Sequence, residues 1–199
     1  MNNKVFRAIL IAALSITFII INVPFIKRND TKAFTLPSLP RPIAKAPIAI
    51  TSAGQSTDIY IIHDIANQLM IRNLFVPQAV DVDFIDIKTI VFVVGYSSLE
   101  SKYYKISYEE EKSRIENLLK EAKDNNLTVI TIILGEKYLY NKTTLELLKL
   151  VGTQADYIIG LKGSSNENIL TELAKKGEIP LTLVGEVKDI SGPFASAFR

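Results

Sequence analysis

The sequence predicts an α/β domain, a three-layer sandwich around a mainly parallel sheet in Rossmann-like or flavodoxin-like order. Three observations carry this expectation. Short β-branched runs recur at Ile48–Thr51, Lys88–Gly95, Thr128–Gly135, Asp156–Leu161 and Pro180–Gly185. The clearest of them, Lys88–Gly95, is continuous rather than alternating, the pattern of a strand covered by helices on both faces. Segments with helical apolar spacing lie between the runs, and glycines with small polar residues follow them. Alternating strands and helices give a layered α/β fold. Right-handed crossovers then put the glycine loops on one sheet edge, where ligands of such folds sit.

Composition bounds the remaining possibilities. The 199 residues suffice for one domain with a sizeable core. The formal charge is +2, but Lys4, Arg7, Lys27 and Arg28 all precede residue 29 and no acid accompanies them, leaving 19 basic and 21 acidic side chains in the remainder. A domain this close to neutrality has no bulk attraction for nucleic acid. Cysteine is absent, which excludes disulfides, thiolate metal sites, cysteine nucleophiles and lipid attachment through a lipobox. His63 is the single histidine, so no multi-histidine metal site can form.

Residues 1–28 read as a transmembrane anchor or signal segment. Ala8–Ile26 is a nearly unbroken apolar run flanked by basic residues, and its nineteen residues span roughly 28 Å as a helix. Its exit, NVPFIKR, is a poor cleavage site, which favours an uncleaved anchor with the following domain extracytoplasmic. Cleavage would instead give a secreted domain. Residues 29–46 hold Pro37, Pro40 and Pro42 and read as an extended linker that spaces a single α/β domain, residues 47–199, from the membrane.

Within that domain, Ile48–Thr51 is the first strand, and Gly54 permits a tight turn or a close backbone approach. Ser56 or Thr57 caps a helix whose apolar stripe is Ile59, Ile62, Ala66, Leu69 and Met70. His63 falls on this stripe and reads first as a packed side chain. Asn73–Pro77 is a short strand, confined to an edge by Pro77. Asp81, Asp83 and Asp86 lack the central glycine and terminal glutamate of a calcium loop and read as a solvated connection. Lys88–Gly95 follows, then a long loop through Ser107 carrying Tyr96, Tyr103 and Tyr104, with Tyr108 beside it. Ser107 and Glu110 form a capping box for a helix reaching about Asn125, with Ile115, Leu118, Leu119 and Ala122 inward. After the strand Thr128–Gly135, Thr143 and Glu146 suggest another capping box, with Leu145, Leu148 and Val151 packing and Gly152 ending the helix. Ser164 and Glu167 cap the next helix, which buries Leu170, Leu173 and Ala174 and stops at Gly177. A short terminal helix, broken at Gly192-Pro193, follows the last strand.

The glycine loops bring together Ser52, Gly54, Gln55, Ser56, Asp58, Ser97, Ser98, Lys102, Glu136, Lys137, Lys162, Ser164, Asn166 and Glu186. Hydroxyls and free N–H groups at helix starts can hold an anion, and the lysines add charge. The Gly-rich dinucleotide fingerprint and the P-loop are both absent, so no cofactor is expected.

Two resemblances follow from particular residues. Gly54–Ser56, GQS, resembles the nucleophile block of some SGNH-type carbohydrate esterases, which draw their base histidine from near the C-terminus. No histidine follows His63, and His63 lies two helical turns from Ser56, near 10 Å along the axis, beyond direct proton transfer. The larger resemblance covers residues 47–198. Thr51–Asp58 (TSAGQSTD), Lys88–Gly95, Asp156–Gly163 and Ile179–Asp189 are similar to an uncharacterised bacterial family of exported or membrane-anchored α/β domains. It implies the fold and export, and carries no activity. Tyr96 stands where that family commonly has a glycine.

The leading expectation is an extracytoplasmic domain that binds a small polar or anionic solute or serves as a sensory accessory. One alternative is a hydrolase or transferase using a carboxylate such as Asp58 or Glu136. Another is an interaction scaffold capturing a protein partner through the 96–108 loop.

Overall fold

The structure, a computed structural model, describes residues 35–80, 86–135 and 142–199. All belong to one unit, Ala33–Arg199. The apolar run at 8–26 lies outside the described residues, and among those described no helix is long and apolar enough to cross a membrane.

Six strands form one all-parallel sheet: β1 (Ile48–Ala53), β2 (Asn73–Phe75), β3 (Thr89–Val94), β4 (Thr128–Ile133), β5 (Tyr157–Leu161) and β6 (Leu181–Val184), in the order β2-β1-β3-β4-β5-β6. This is the flavodoxin-like order with one further strand. The switch in strand order falls between β1 and β3, whose register runs from Ile48 opposite Thr89 to Ala53 opposite Val94. β1 and β3 are buried along their whole length.

Side-chain alternation divides the core between the two faces of the sheet. Ile90, Phe92 and Val94 point to one side, with Ile115, Leu118 and Leu119 of α3 (Tyr108–Asp124), Leu147 and Leu148 of α4 (Lys142–Gly152), and Leu170 of α5 (Glu167–Gly177). Val91 and Val93 point to the other, with Ile59 and Ile62 of α1 (Ile59–Gln68) and Phe194 of α6 (Ser191–Ser196). Between β3 and α3 the chain forms a short helix, α2 (Ser98–Tyr103), where the sequence suggested only loop. Ser97 caps it by accepting the Glu100 N–H at 3.2 Å.

Several local expectations are met in detail. Ser107 and Glu110 make both hydrogen bonds of the capping box, and Ile115, Leu118, Leu119 and Ala122 are buried. His63 is half-buried and stacks on Phe75, with ring centroids 4.2 Å apart. Others are corrected. Met70 is 87% exposed with φ +56, because α1 has already ended at Gln68. Thr143 lies inside α4 rather than capping it, and Glu146 accepts a hydrogen bond from the Tyr108 hydroxyl at 2.8 Å instead. Asn166 occupies the cap position of α5, and the Glu167 carboxylate turns back to the Gly163 N–H. Gly192 and Pro193 lie within α6, which follows a 3-10 turn at Val187–Ile190. Pro193 stands in the first turn of α6, where a missing N–H costs nothing.

Residues 35–46, the later part of the segment read as a spacer, run along the domain as a strap. Thr35 makes a parallel bridge to Leu181, and Leu36 N–H donates to the Leu181 carbonyl at 2.8 Å. Leu39 is buried and its N–H donates to the Ser196 hydroxyl at 3.0 Å. Ile43 and Ala44 N–H groups donate to the Ala197 carbonyl at 3.0 and 2.8 Å. Prolines deny three backbone donors here without preventing the intervening residues from bonding.

Candidate functional site

Because every strand is parallel, the loops after β1, β3, β4, β5 and β6 share the C-terminal edge of the sheet. The end of β1 is the most elaborated of them. Gly54 has φ +100, and a Cβ there would lie 2.7 Å from the Gly95 carbonyl oxygen and 2.8 Å from Leu147 Cδ1. Only glycine fits between these neighbours in this conformation. Gln55 follows with φ +64, a left-handed conformation that costs on the order of 1 kcal/mol for a residue with a Cβ.

What holds this turn is Glu111, from the first turn of α3. Its Oε1 accepts the Gly54 N–H at 2.7 Å, and its Oε2 accepts the Gln55 side-chain amide at 2.7 Å. Arg114, one turn further along, closes on the same carboxylate through Nη2 at 2.7 Å and Nε at 2.9 Å. Arg114 also donates to the Ser52 carbonyl at 2.7 Å, the Ala79 carbonyl at 2.8 Å and the Thr51 hydroxyl at 3.4 Å. Both charged side chains are buried. Burial pushes the Glu111 carboxyl up, but the Arg114 guanidinium, the Gly54 N–H and the Gln55 amide outweigh it and hold the carboxyl below its ordinary value. Each charge-assisted bond is worth roughly 1.5–3 kcal/mol, enough for the one from Gln55 to offset its backbone strain.

The expected residues therefore divide. Ser52 is buried, with its hydroxyl donating to the Pro77 carbonyl at 3.0 Å. Gly54 and Gln55 direct their donors to Glu111. Ser56 is buried, and its hydroxyl accepts the Asp58 N–H at 3.3 Å. Ser97 joins this group, since its N–H donates to the Gly54 carbonyl at 2.8 Å. Ser98 and Lys102 are exposed on α2. Glu136 and Lys137 lie outside the described residues. Glu186 is exposed and pairs with Lys188 at 2.8 Å.

Lys162, Ser164 and Asn166 form a second group after β5. Three strand spacings, roughly 14 Å, separate β5 from β1. Lys162 is exposed, and Asn166 is buried with its amide nitrogen 3.2 Å from where a Cβ on Gly135 would stand. Among the described residues, the Ser164 hydroxyl is withdrawn from solvent and has no hydrogen-bond partner. Among the described residues, no cluster of three or more metal-ligating side chains occurs.

Residues 45–198 match a family described as a domain of unknown function, DUF6305. The chain belongs to this family. No curated protein and no solved structure matches it. The DUF6305 match contains all six strands, the Glu111–Arg114 pair and the loop after β5, while residues 35–44 of the strap precede it.

Sequence reasoning overlooked Glu111 and Arg114. A signal was present. Position 111 is four before Ile115 and position 114 is four before Leu118, so both extend the buried stripe of α3. Charged residues at stripe positions mark either a helix end turning to solvent or a buried pair.

Proposed function

We propose that this DUF6305 chain is an extracytoplasmic domain, tethered or exported by residues 8–26, that binds a small polar or anionic solute at the C-terminal edge of its sheet. The observation that carries this reading is the Ser164 hydroxyl, withdrawn from water and unpartnered beside Lys162 and Asn166. A buried polar group without a partner is costly, and a bound solute supplies one. The loop after β5 thus retains hydrogen-bonding capacity that the turn after β1, with its donors engaged by Glu111, lacks.

The test is a thermal-shift titration of residues 35–199 with inorganic phosphate, citrate and neutral sugars. A saturable rise in melting temperature, lost in Ser164→Ala and weakened in Lys162→Ala for the anions, supports the site and names its chemistry. A flat response of well-folded protein up to about 100 mM of each probe removes it, because affinities weaker than that give no useful stabilisation.

One observation favours a second reading, capture of a protein partner. Leu99, Tyr103 and Tyr104 on α2 are 77%, 78% and 46% exposed, an apolar and aromatic surface within the 96–108 segment.

A further inference from the structure

We propose that the Gly54–Gln55 turn is an anion-binding site whose resident anion is the protein's own Glu111 carboxylate, and that a small monocarboxylate takes its place when the Glu111 side chain is removed. Four donor contacts converge on the two Glu111 oxygens: the Gly54 N–H, the Gln55 amide, and Arg114 Nε and Nη2, all within 2.7–2.9 Å. They come from a strand end, a strained turn and a helix. Doubly wound folds direct a tight glycine turn at the end of β1 at a ligand anion, and a guanidinium forks onto a carboxylate as Arg114 does here. Here a side chain on a fixed helix supplies the anion.

The intramolecular arrangement decides the competition. A carboxylate held on α3 meets these donors at an effective concentration that a free anion in solution does not approach. The wild-type turn is accordingly closed to solutes, and any anion the domain recognises is read elsewhere on the sheet edge. Cutting Glu111 back to alanine removes the resident group and leaves the Gly54 N–H and the Arg114 guanidinium in place. Both are held by other contacts: Gly95 N–H to the Ala53 carbonyl at 2.9 Å, Ser97 N–H to the Gly54 carbonyl, and Arg114 to the Ser52 and Ala79 carbonyls. An open groove of about 520 Å3, lined by Val80, Glu109, Glu110, Ser113, Arg114 and Asn117, reaches the Arg114 side of the cluster.

The experiment is urea denaturation of wild type, Glu111→Ala and Glu111→Gln in sodium formate or acetate, against sodium chloride at equal ionic strength. Glu111→Ala is expected to gain a saturable rise in its urea midpoint from formate, less from the bulkier acetate, and none from chloride. Glu111→Gln removes the charge but keeps the volume, so its midpoint is expected to stay flat. Anions bound after β5 would move both variants and wild type alike, which separates this inference from the solute-site reading. A midpoint in Glu111→Ala that ignores formate overturns the proposal, as does an equal formate response in Glu111→Gln. If Glu111→Ala is mostly unfolded in buffer, the same linkage is read from the folded fraction, measured by far-ultraviolet circular dichroism. A failure of formate to raise that fraction also overturns it.

Discussion

Removing the Glu111 carboxylate leaves Arg114 charged and buried, facing backbone carbonyls that cannot neutralise it. Breaking one side of such a pair costs about 3–5 kcal/mol, whereas replacing both partners with apolar residues of similar volume is far milder. Glu111→Ala is therefore expected to lose several kcal/mol in urea titration, and Glu111→Leu with Arg114→Met to lose less than either single change. A double variant less stable than both singles would contradict this account. The pair also sets an acid limit. The folded-state pKa of Glu111 lies below its ordinary value, so its contribution is fully present above the ordinary carboxylate value of about 4.3. It is lost as pH falls through the lowered folded value. Glu111→Gln should flatten that part of the stability–pH curve, and identical acid limbs in the two proteins would sink the claim.

At the scale of elements, α3 shows what the sequence disclosed and what it concealed. Its cap and apolar stripe were legible because both rest on local spacing: Ser107 three before Glu110, and Ile115, Leu118, Leu119 and Ala122 on one face. Ser107→Ala should cost about 1 kcal/mol of stability. The partnership of Glu111 with Gly54 was not legible, because residues 57 positions apart were joined only by the packing of α3 on the end of β1. The helix α2 was hidden for a different reason, since its six residues are too few for a periodic pattern. On the candidate site, the glycines and serines were readable as loop chemistry. Which of their donors the protein itself engages depended on contacts that no spacing encodes. The join between α3 and α4 offers another check. Partial burial and the Glu146 carboxylate push the Tyr108 hydroxyl up to about 12. The neutral hydroxyl's contribution is present below the ordinary tyrosine value of about 10 and is lost as pH rises toward the folded one. Tyr108→Phe should delete a phenolate that titrates well above the ordinary tyrosine value from an alkaline absorbance titration, and an unchanged high-pH amplitude would assign that step elsewhere.

At the scale of the whole molecule, the strap makes the domain larger than its sheet and helices. It covers the outer edge of β6 at Thr35–Leu36 and lays Leu39 and Ala44 into the core layer that holds Phe194. Fully burying a leucine side chain contributes roughly 1.5–3 kcal/mol. A chain beginning at residue 47 should accordingly unfold at lower urea concentration than one beginning at residue 35, by at least about 2 kcal/mol, and equal midpoints would show that the strap is ornamental. The layered parallel fold was foreseeable from alternating elements, with its order left between Rossmann-like and flavodoxin-like, but the strap was not, since prolines read as extended chain whether or not that chain has a surface to lie on. Its partners also impose a schedule on synthesis. Leu36, Leu39, Ile43 and Ala44 are bound by Leu181, Ser196 and Ala197, separated from them by as many as 157 positions. Translation delivers the strap first and its receptors last, so this stretch must wait undocked while every strand of the sheet is made. Closing so long a loop is among the slower kinds of contact to form. Until the strap docks on Leu181, the edge of β6 stays open, and that interval is when the nascent chain is most exposed to pairing with the wrong strand.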